Sequence, residues 1–344
     1  MYNSTVIESL IDHKAAGAVF VITIIMTITG TIGNFLVIGS VMIHKKLRVL
    51  SNTFIVNLAI ADLMVSIAVN ASGLMATTTN GRFLYTRPGL CEFFGSVCIT
   101  ACLSSVMNIA AISINRYVKI CHFKYYDKIY NRRTVPGMVI FVWIFCFCLD
   151  LPNFFRWGSH DFSPKFMLCS YDHRYGAFSY TLFFFLGGFC LPWNISGLAY
   201  LKIFLFTRES NKKLRESMSN SAGGNSKPVG INELRILRST VTIWAVFLIM
   251  WIPYAFAILL DTGYHWPNGV YSFASMMAHF NSSINCILYA ITSKHFREAY
   301  WSLLTCRWLV VGAKVGAENS SIQQSKSMDT NSTTAGTRDL QANA

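Results

Sequence analysis

The sequence predicts an all-α membrane protein, a seven-transmembrane helix bundle followed by a short amphipathic eighth helix. The chain of 344 residues is 53% hydrophobic and only 13% charged, whereas soluble domains carry about 25% charged residues. Seven apolar stretches are each long enough to span a bilayer, which takes roughly 20 mostly apolar residues. Asp62 and Arg116 are the ionisable residues of greatest interest within these stretches, because an intramembrane charge indicates a functional site.

The seven predicted spans form one transmembrane domain over residues 15–291. Their connections are short, except that residues 207–234 include a run rich in Gly, Ser and Asn, which is typical of a flexible linker. No internal repeat is evident, which disfavours a transporter built from repeated halves. The predicted spans are residues 15–43, 52–77, 91–120, 135–156, 176–206, 236–260 and 268–291.

The distribution of basic residues predicts the orientation in the membrane. Most of the 29 lysines and arginines fall on one predicted side, including Lys45, Lys46 and Arg48 after the first span. Cytoplasmic segments carry this excess, so residues 1–14 are predicted to be extracellular and the C-terminus cytoplasmic. The net charge of +13 therefore indicates membrane lipid and an acidic cytosolic partner, and no nucleic acid.

Two cysteines and one asparagine are candidates for modification outside the cell. Cys91 and Cys169 both fall at predicted extracellular ends, where the environment is oxidising, so a disulfide between them is expected. Asn3 begins the glycosylation sequon Asn3-Ser4-Thr5. Sequons often go unused, so an unmodified asparagine is the alternative.

The segment after the seventh span predicts a membrane-surface helix and a tail. Apolar residues such as Phe296 and Tyr300 recur at helical spacing within residues 293–306, which is typical of an amphipathic helix. Cys306 at its end is a palmitoylation candidate, with a plain cysteine as the alternative. Residues 307–344 are rich in Ser, Thr, Asn and Gln, and we expect a disordered cytoplasmic tail.

Each of the seven spans also carries a short motif, and the motifs occur in order. They are Gly33-Asn34, Asn57 to Asp62, Asn115-Arg116-Tyr117, Trp143 with Pro152, Pro192 with Tyr200, Trp251-Ile252-Pro253, and Asn285 to Tyr289. Together they resemble the rhodopsin-like (class A) G-protein-coupled receptors. The resemblance implies a plasma-membrane receptor, not an enzyme, that binds a small molecule and activates a heterotrimeric G protein. It further implies arrestin and a receptor kinase acting at the tail.

Within that family the chain most resembles melatonin receptors. They too have Asn-Arg-Tyr where most relatives place an acid before the arginine, and segments similar to residues 117–130 and 277–282. Like this chain, with Cys286, they lack proline after the seventh-helix asparagine. The resemblance implies melatonin or a related neutral indole as the ligand, and a G protein of the inhibitory class.

Residues in the predicted pocket narrow the class of ligand. Amine receptors place an aspartate where this chain has Cys98, and light receptors place the retinal-binding lysine where it has His279. A neutral ligand is therefore favoured, and covalent attachment of retinal is not expected. Trp251 is expected beneath the ligand, where it couples ligand contact to the Pro253 kink; simple core packing is the alternative.

The resemblance to melatonin receptors also assigns four pocket positions. Asn153 matches the asparagine that receives the ligand's methoxy group, and Tyr171 replaces the phenylalanine that stacks on the indole. His173 stands where the family has glutamine, and Gly188 where it has histidine. Two of the four positions therefore differ, so an orphan receptor with a different ligand is the alternative.

An allosteric sodium pocket is implied around Asp62. By resemblance, the side chains that would complete it are Asn34, Ser105, Asn281 and Asn285. A protonated aspartic acid within a hydrogen-bond network is the alternative, because a mid-bilayer charge costs about 2.5–3.5 kcal/mol on insertion scales.

The coupling machinery is implied at the inner ends of the helices. Arg116 would meet the G protein after the sixth helix moves outward, with Tyr117 completing the motif, and Tyr200 and Tyr289 would then approach the arginine. Asn115 cannot form an ion pair with Arg116, so we expect a weak inactive lock. The two tyrosines could otherwise be ordinary interfacial aromatics.

The sequence leaves three alternative functions. A channel or transporter would need more polar residues along a pathway. An intramembrane enzyme would need more than the lone Asp62, and His279 has no evident metal-ligating partner in the sequence. A ligand-independent, constitutively active receptor stays open because of Asn115.

Overall fold

Seven long helices form the body of the protein in the computed structural model. They belong to one compact unit, Met1–Arg297, and a second unit begins at Glu298. The structure describes residues 13–171, 178–219, 231–261 and 265–305.

Five of the seven helices are continuous, whereas the second and the fifth each contain a π-helical segment, a feature frequent at functional sites. The continuous helices are His13–Ile43 (first), Pro88–Cys121 (third), Thr134–Asp150 (fourth), Ile231–Leu260 (sixth) and Asn268–Thr292 (seventh). The second helix is built from Thr53–Met64, Val65–Val69 and Asn70–Thr78, and the fifth from Phe178–Phe185, Leu186–Cys190 and Leu191–Ser219.

The fourth helix ends earlier than the sequence predicted. Its α-helical part stops at Asp150 and tightens into the 3-10 turn Leu151–Asn153, short of the expected residue 156. Pro152 lies in this turn, and proline cannot continue the hydrogen-bonding of a helix interior because it lacks an N–H.

The fifth helix extends further than its apolar run. It continues to Ser219, past the predicted end at residue 206, because no glycine or proline follows until Gly223 to break it. The segment predicted as a linker, residues 207–234, is therefore helical at both ends, since the sixth helix begins at Ile231. Residues 220–230 lie outside the described part.

The eighth helix, Lys294–Leu304, follows the seventh after one extended residue, Ser293. The predicted short eighth helix is confirmed. Trp301 and Leu304 each expose 63% of their surface, as expected for large apolar side chains that meet lipid. Cys306 and the tail lie outside the described residues.

Polarity distinguishes the seventh helix from the other six. Among the described residues, six helices are long and apolar enough to cross a membrane by composition. The seventh has 25 residues, about 37 Å at 1.5 Å per residue, but carries several polar side chains. His279, Asn281 and Asn285 are at most 6% exposed, so they face the bundle interior, where polar groups are tolerated in membranes.

A buried hydrogen-bond chain joins the second, third and fourth helices. The Trp143 indole N–H donates to Asn57 Oδ1 at 2.8 Å, and Asn57 Nδ2 donates to Asn108 Oδ1 at 2.8 Å. Asn57 and Asn108 are at most 3% exposed. With no water in the surrounding lipid, such groups need partners inside the bundle, so this chain fixes the three helices against one another.

A β-hairpin closes the end of the bundle that the sequence predicts to be extracellular. β1, His160–Ser163, pairs antiparallel with β2, Leu168–Tyr171. The predicted disulfide is confirmed: Cys169 in β2 is bonded to Cys91 in the third helix, with the two Cα atoms 5.3 Å apart. Gly81 adopts a left-handed φ of 74°, and any side chain there would collide with the Phe162 ring, so glycine lets the hairpin pack closely.

Replacing Trp143 by Phe should lower the melting temperature of the purified protein by several degrees. The change leaves Asn57 Oδ1 buried without its donor, which costs about 1–3 kcal/mol. Thermal unfolding in detergent measures the effect. Phe141→Leu, at a neighbouring lipid-facing position that is 59% exposed, is the matched control, and equal melting of the two variants would contradict the role of the hydrogen bond.

Candidate functional site

A cavity opens beneath the hairpin, between the third, fifth, sixth and seventh helices. The cavity is small, with a volume of about 20 Å³, and β2 forms its wall on the hairpin side. Among the described residues, none of its lining side chains is a lysine, arginine, aspartate or glutamate. The lining is Cys98, Ile99, Cys102, Phe166, Leu168, Ser170, Tyr171, Phe184, Phe189, Trp251, Tyr254, Ser275, Ala278 and His279.

Three of the six predicted pocket residues line this cavity: Cys98, Tyr171 and Trp251. Tyr171 is held by aromatic contacts, with its ring centroid 4.8 Å from that of Phe184 and 5.6 Å from that of Tyr180. An aromatic face is therefore fixed at the wall, where it can stack on a flat ligand.

The other predicted pocket residues are placed differently. Asn153 is turned away from the cavity, since its amide donates to Asp150 Oδ1 at 2.9 Å and to the Tyr180 hydroxyl. At Gly188, a Cβ would lie 2.5 Å from a Leu103 methyl carbon, so Leu103 fills the space where the family has histidine. His173 lies outside the described residues.

The cavity floor contains a cluster that sequence reasoning missed. His279 Nε2 lies 3.5 Å from Cys98 Sγ, and His279 Nδ1 lies 2.8 Å from the Ser275 carbonyl oxygen. Cys102, one turn below Cys98, brings its thiol to the same point. The sequence offered no evident metal-ligating partner for His279, and the structure places two thiols beside it. The i, i+4 spacing of the cysteines was the available signal, but their proximity to the seventh helix is a tertiary feature.

Trp251 forms part of an aromatic stack in the lower half of the cavity. Its ring centroid lies 4.6 Å from that of Phe189 and 5.8 Å from that of Phe247, whose plane is nearly parallel. The stack spans the π-helical segment of the fifth helix and the turn before Pro253 in the sixth. A ligand that displaces Trp251 would therefore act at two locally irregular points of the bundle.

The Asp62 carboxylate lies deeper and is fully buried. Its Oδ1 accepts from the Ser105 hydroxyl at 2.9 Å, and its Oδ2 accepts from Asn285 Nδ2 at 2.8 Å. The side chain of Ser282 makes a further hydrogen bond to it. The second, third and seventh helices thus converge on one carboxyl group.

Two more residues of the predicted sodium pocket have distinct roles. Asn34 donates to the Gly30 and Ser282 carbonyl oxygens, both at 2.9 Å, and so ties the first helix to the seventh instead of contacting Asp62. Asn281 is 2% exposed, and its Oδ1 has no hydrogen-bond partner among the described residues.

Arg116 lies at the inner end of the third helix and is 3% exposed. Tyr200 and Tyr289, from the fifth and seventh helices, are also buried. Tyr117 points elsewhere, with its hydroxyl 2.9 Å from His122 Nε2.

Asn115 faces the loop between the third and fourth helices. Its Nδ2 donates to the Tyr126 hydroxyl at 3.2 Å, and Tyr126 stacks on Tyr130 with centroids 5.1 Å apart. Tyr126 belongs to the short loop helix Phe123–Ile129. The residue that replaces the usual acid therefore anchors a loop, a role that the sequence did not reveal.

Asp150 is a second buried carboxylate residue within the helix bundle, also missed from the sequence. It accepts hydrogen bonds from the Ser96 hydroxyl and from Asn153, and Asp150 Oδ1 lies 2.8 Å from His160 Nε2. These contacts join the third and fourth helices to β1.

Two charged residues interact near the hairpin: Lys165, in the turn between β1 and β2, and Asp261, which follows the sixth helix. Partial burial lowers the pKa of Lys165, and nearby Asp261 partly offsets the effect. Burial by itself would raise the pKa of Asp261, but hydrogen bonds from Tyr271 and from the backbone N–H groups of His265 and Trp266 outweigh it and lower that pKa. Asp261 is therefore held ionised at the hairpin end of the bundle.

Most of the chain matches a single protein family. Residues 33–289 match the model of the 7 transmembrane receptor (rhodopsin family). The chain belongs to this family. The receptor is thus a multi-pass membrane protein with a signalling role and not an enzyme, and membership implies a small-molecule ligand and a G-protein partner.

The receptor is also similar to melatonin receptors. Melatonin receptor type 1C of Xenopus laevis is 30% identical over 310 residues, which cover 87% of this chain and 71% of that protein. Melatonin receptor type 1B of Homo sapiens is 30% identical over 299 residues, covering 85% and 80%. The crystal structure of squid rhodopsin has the same fold, with a TM-score of 0.74 over 87% of both chains at 23% identity.

Arg116→Ala should reduce G-protein activation by more than about tenfold. Removing one partner of a buried charge contact costs about 2–5 kcal/mol, which exceeds tenfold in an equilibrium. Nucleotide exchange on a G protein in membranes, at equal receptor abundance, is the measurement. Arg48→Ala, at an exposed basic position after the first helix, is the control; undiminished exchange in the Arg116 variant would argue against its coupling role.

Proposed function

We propose that the receptor binds melatonin or a related neutral indole in the cavity beneath β2 and activates an inhibitory heterotrimeric G protein. The observation that carries this proposal is the lining itself, which is rich in aromatic side chains and contains no Asp, Glu, Lys or Arg among its described residues. A flat, uncharged aromatic ligand suits such a surface. The similarity to melatonin receptors supports the choice of indoles within that class.

Ligand contact is proposed to reach the G-protein face through the sixth helix. Trp251 borders the cavity and packs against Phe189 and Phe247, so a ligand that moves its indole shifts the helix around Pro253. An outward swing of the inner end would then uncover Arg116. Tyr200 and Tyr289, both buried in the bundle, are placed to approach it.

A receptor for a different small molecule is the second candidate, and two observations favour it. Asn153 is already hydrogen-bonded to Asp150 and Tyr180, so it is not free to receive a methoxy group without a rearrangement. Leu103 occupies the space beside Gly188. Both features would exclude the contacts that the family resemblance assigns to these positions.

We further propose that a sodium ion binds at Asp62 and favours the inactive state. The atoms that could coordinate sodium are oxygens of the Asp62 carboxylate and of the Ser105 and Ser282 hydroxyls. The buried Oδ1 of Asn281 or of Asn285, each without a partner among the described residues, could add another. Hard cations prefer oxygen ligands, so the donor set fits the ion.

The remaining proposals concern the membrane and the tail. The receptor would lie in the plasma membrane with its N-terminus outside, glycosylated at Asn3, and with Cys306 palmitoylated at the inner leaflet. Receptor kinase would phosphorylate the serine- and threonine-rich tail, and the added negative charge would dock arrestin. Asn3, Cys306 and the tail lie outside the described residues.

Tyr171→Ala should weaken melatonin binding by about tenfold or more. The variant loses a buried aromatic face, worth about 1.5–3 kcal/mol by area, whereas Tyr171→Phe keeps the ring and should bind as the wild type does. Displacement of labelled melatonin from membranes, together with suppression of cyclic AMP, measures both effects. Phe155→Ala, 75% exposed, is the control.

The outcomes separate the two candidates. Wild-type receptor that binds no melatonin yet activates a G protein with another small molecule would favour the second candidate. Equal melatonin affinity in the Tyr171→Ala variant and the wild type would contradict the proposed cavity as its binding site.

Asp62→Asn should abolish the sodium dependence of agonist binding. In the wild type, replacing potassium by sodium at constant ionic strength should weaken agonist affinity by about fivefold or more, since allosteric couplings are typically 1–3 kcal/mol. Agonist competition curves in the two salts provide the measurement. Identical curves for the wild type would support the protonated hydrogen-bond network instead.

A further inference from the structure

We propose that Cys98, Cys102 and His279 form a zinc-binding site at the floor of the ligand cavity. The two sulfur atoms and a ring nitrogen of His279 all lie within 4.8 Å of one another, and the three residues are at most 7% exposed. Cysteine thiolates and imidazole are the ligands that zinc prefers. The proposal is independent of which organic molecule the cavity accepts.

The distances between the ligand atoms suit tetrahedral coordination of zinc. With Zn–S near 2.3 Å and Zn–N near 2.0–2.1 Å, a tetrahedron places sulfur and nitrogen about 3.6 Å apart. Cys98 Sγ and His279 Nε2 are 3.5 Å apart. Cys98 and Cys102 are four residues apart on one helix, so their thiols share a face, and only a small adjustment is needed to enclose the ion.

The proton on His279 is placed so that Nε2 is available to the metal. Nδ1 lies 2.8 Å from the Ser275 carbonyl oxygen, which can only accept, so Nδ1 carries the hydrogen. In the neutral ring Nε2 then presents its lone pair toward Cys98. Metal-binding histidines usually show this arrangement, in which a carbonyl or carboxylate fixes the other ring nitrogen.

The charge of the complex also suits a buried position. Binding of Zn²⁺ would release one proton from each thiol, so that two thiolates and the neutral imidazole yield a complex without net charge. Such a complex avoids the cost of burying an uncompensated ion. The fourth coordination position would face the cavity and take water or a donor atom of a bound ligand, as in zinc sites with an open position.

The site would join the third helix to the seventh. Cys98 and Cys102 come from Pro88–Cys121, and His279 from Asn268–Thr292. An ion bound to all three would act as a cross-link at the cavity floor and would change how a ligand seats there. Zinc would thus be an extracellular modulator of the receptor.

The test uses full-length receptor purified in detergent, stripped with a chelator and kept reduced with a phosphine. Adding Zn²⁺ alone should raise the melting temperature with one ion bound tightly per receptor. X-ray absorption at the zinc edge should show two sulfur ligands, one imidazole and one further light atom. These measurements on the wild type do not depend on any variant folding or on any organic ligand.

Variants identify the ligands. Cys98→Ser, Cys102→Ser and His279→Gln should each weaken zinc binding by more than about tenfold, since losing even an outer-shell partner costs 10–100-fold. Cys148→Ser is the matched control, because Cys148 is exposed on the fourth helix, and it should bind zinc as the wild type does.

Three results would overturn the proposal. They are a zinc shell with fewer than two sulfur atoms, undiminished affinity in the folded Cys98 and Cys102 variants, or a Cys98–Cys102 disulfide found by mass spectrometry in receptor purified without added oxidant. A zinc result of either kind leaves the indole and G-protein proposals to be judged by their own measurements.

Discussion

The interior hydrogen bonds of a lipid-embedded bundle are the constraint on which the structure depends. Lipid cannot satisfy an exposed polar group, and each unsatisfied one costs several kcal/mol. The helices therefore turn Asp62, Asn57 and the polar side chains of the seventh helix toward one another. Large apolar side chains such as Phe35 and Phe141 face outward. Packing between helices follows from where these polar partners can meet.

The third helix organises the sites along the membrane normal. Cys91 bonds to the hairpin, Cys98 lines the cavity floor and Ser105 reaches Asp62. These residues are seven apart, which is close to two helical turns, so they lie on one face about 10 Å from each other. The hairpin, the cavity and the buried carboxylate are thus arranged in order along one helix.

The cavity lining differs from the one that the resemblance to melatonin receptors implies, because neighbouring side chains occupy two of the expected positions. Asn153 donates a hydrogen bond to Asp150 and so does not line the cavity, and Leu103 fills the space beside Gly188. In their place the floor gains two thiols and an imidazole. The same fold can therefore keep its transmission elements, such as the Trp251 stack and Arg116, while the chemistry presented to the ligand changes. Function in this family resides in the site carried by the fold.

The sequence by itself determined the seven-helix bundle, the Cys91–Cys169 bond and the place of Asp62 within a helix of the bundle. Each of these depends on apolar runs, charge bias or a motif with few structural solutions. Contacts between distant segments were decided by the tertiary structure. Cys98 and His279 are 181 residues apart, and no local sequence pattern predicts that the third and seventh helices bring them together. Asn115 and its loop partner Tyr126 are only 11 residues apart, yet their contact was also not evident from the sequence, because it depends on the direction in which each side chain leaves its helix.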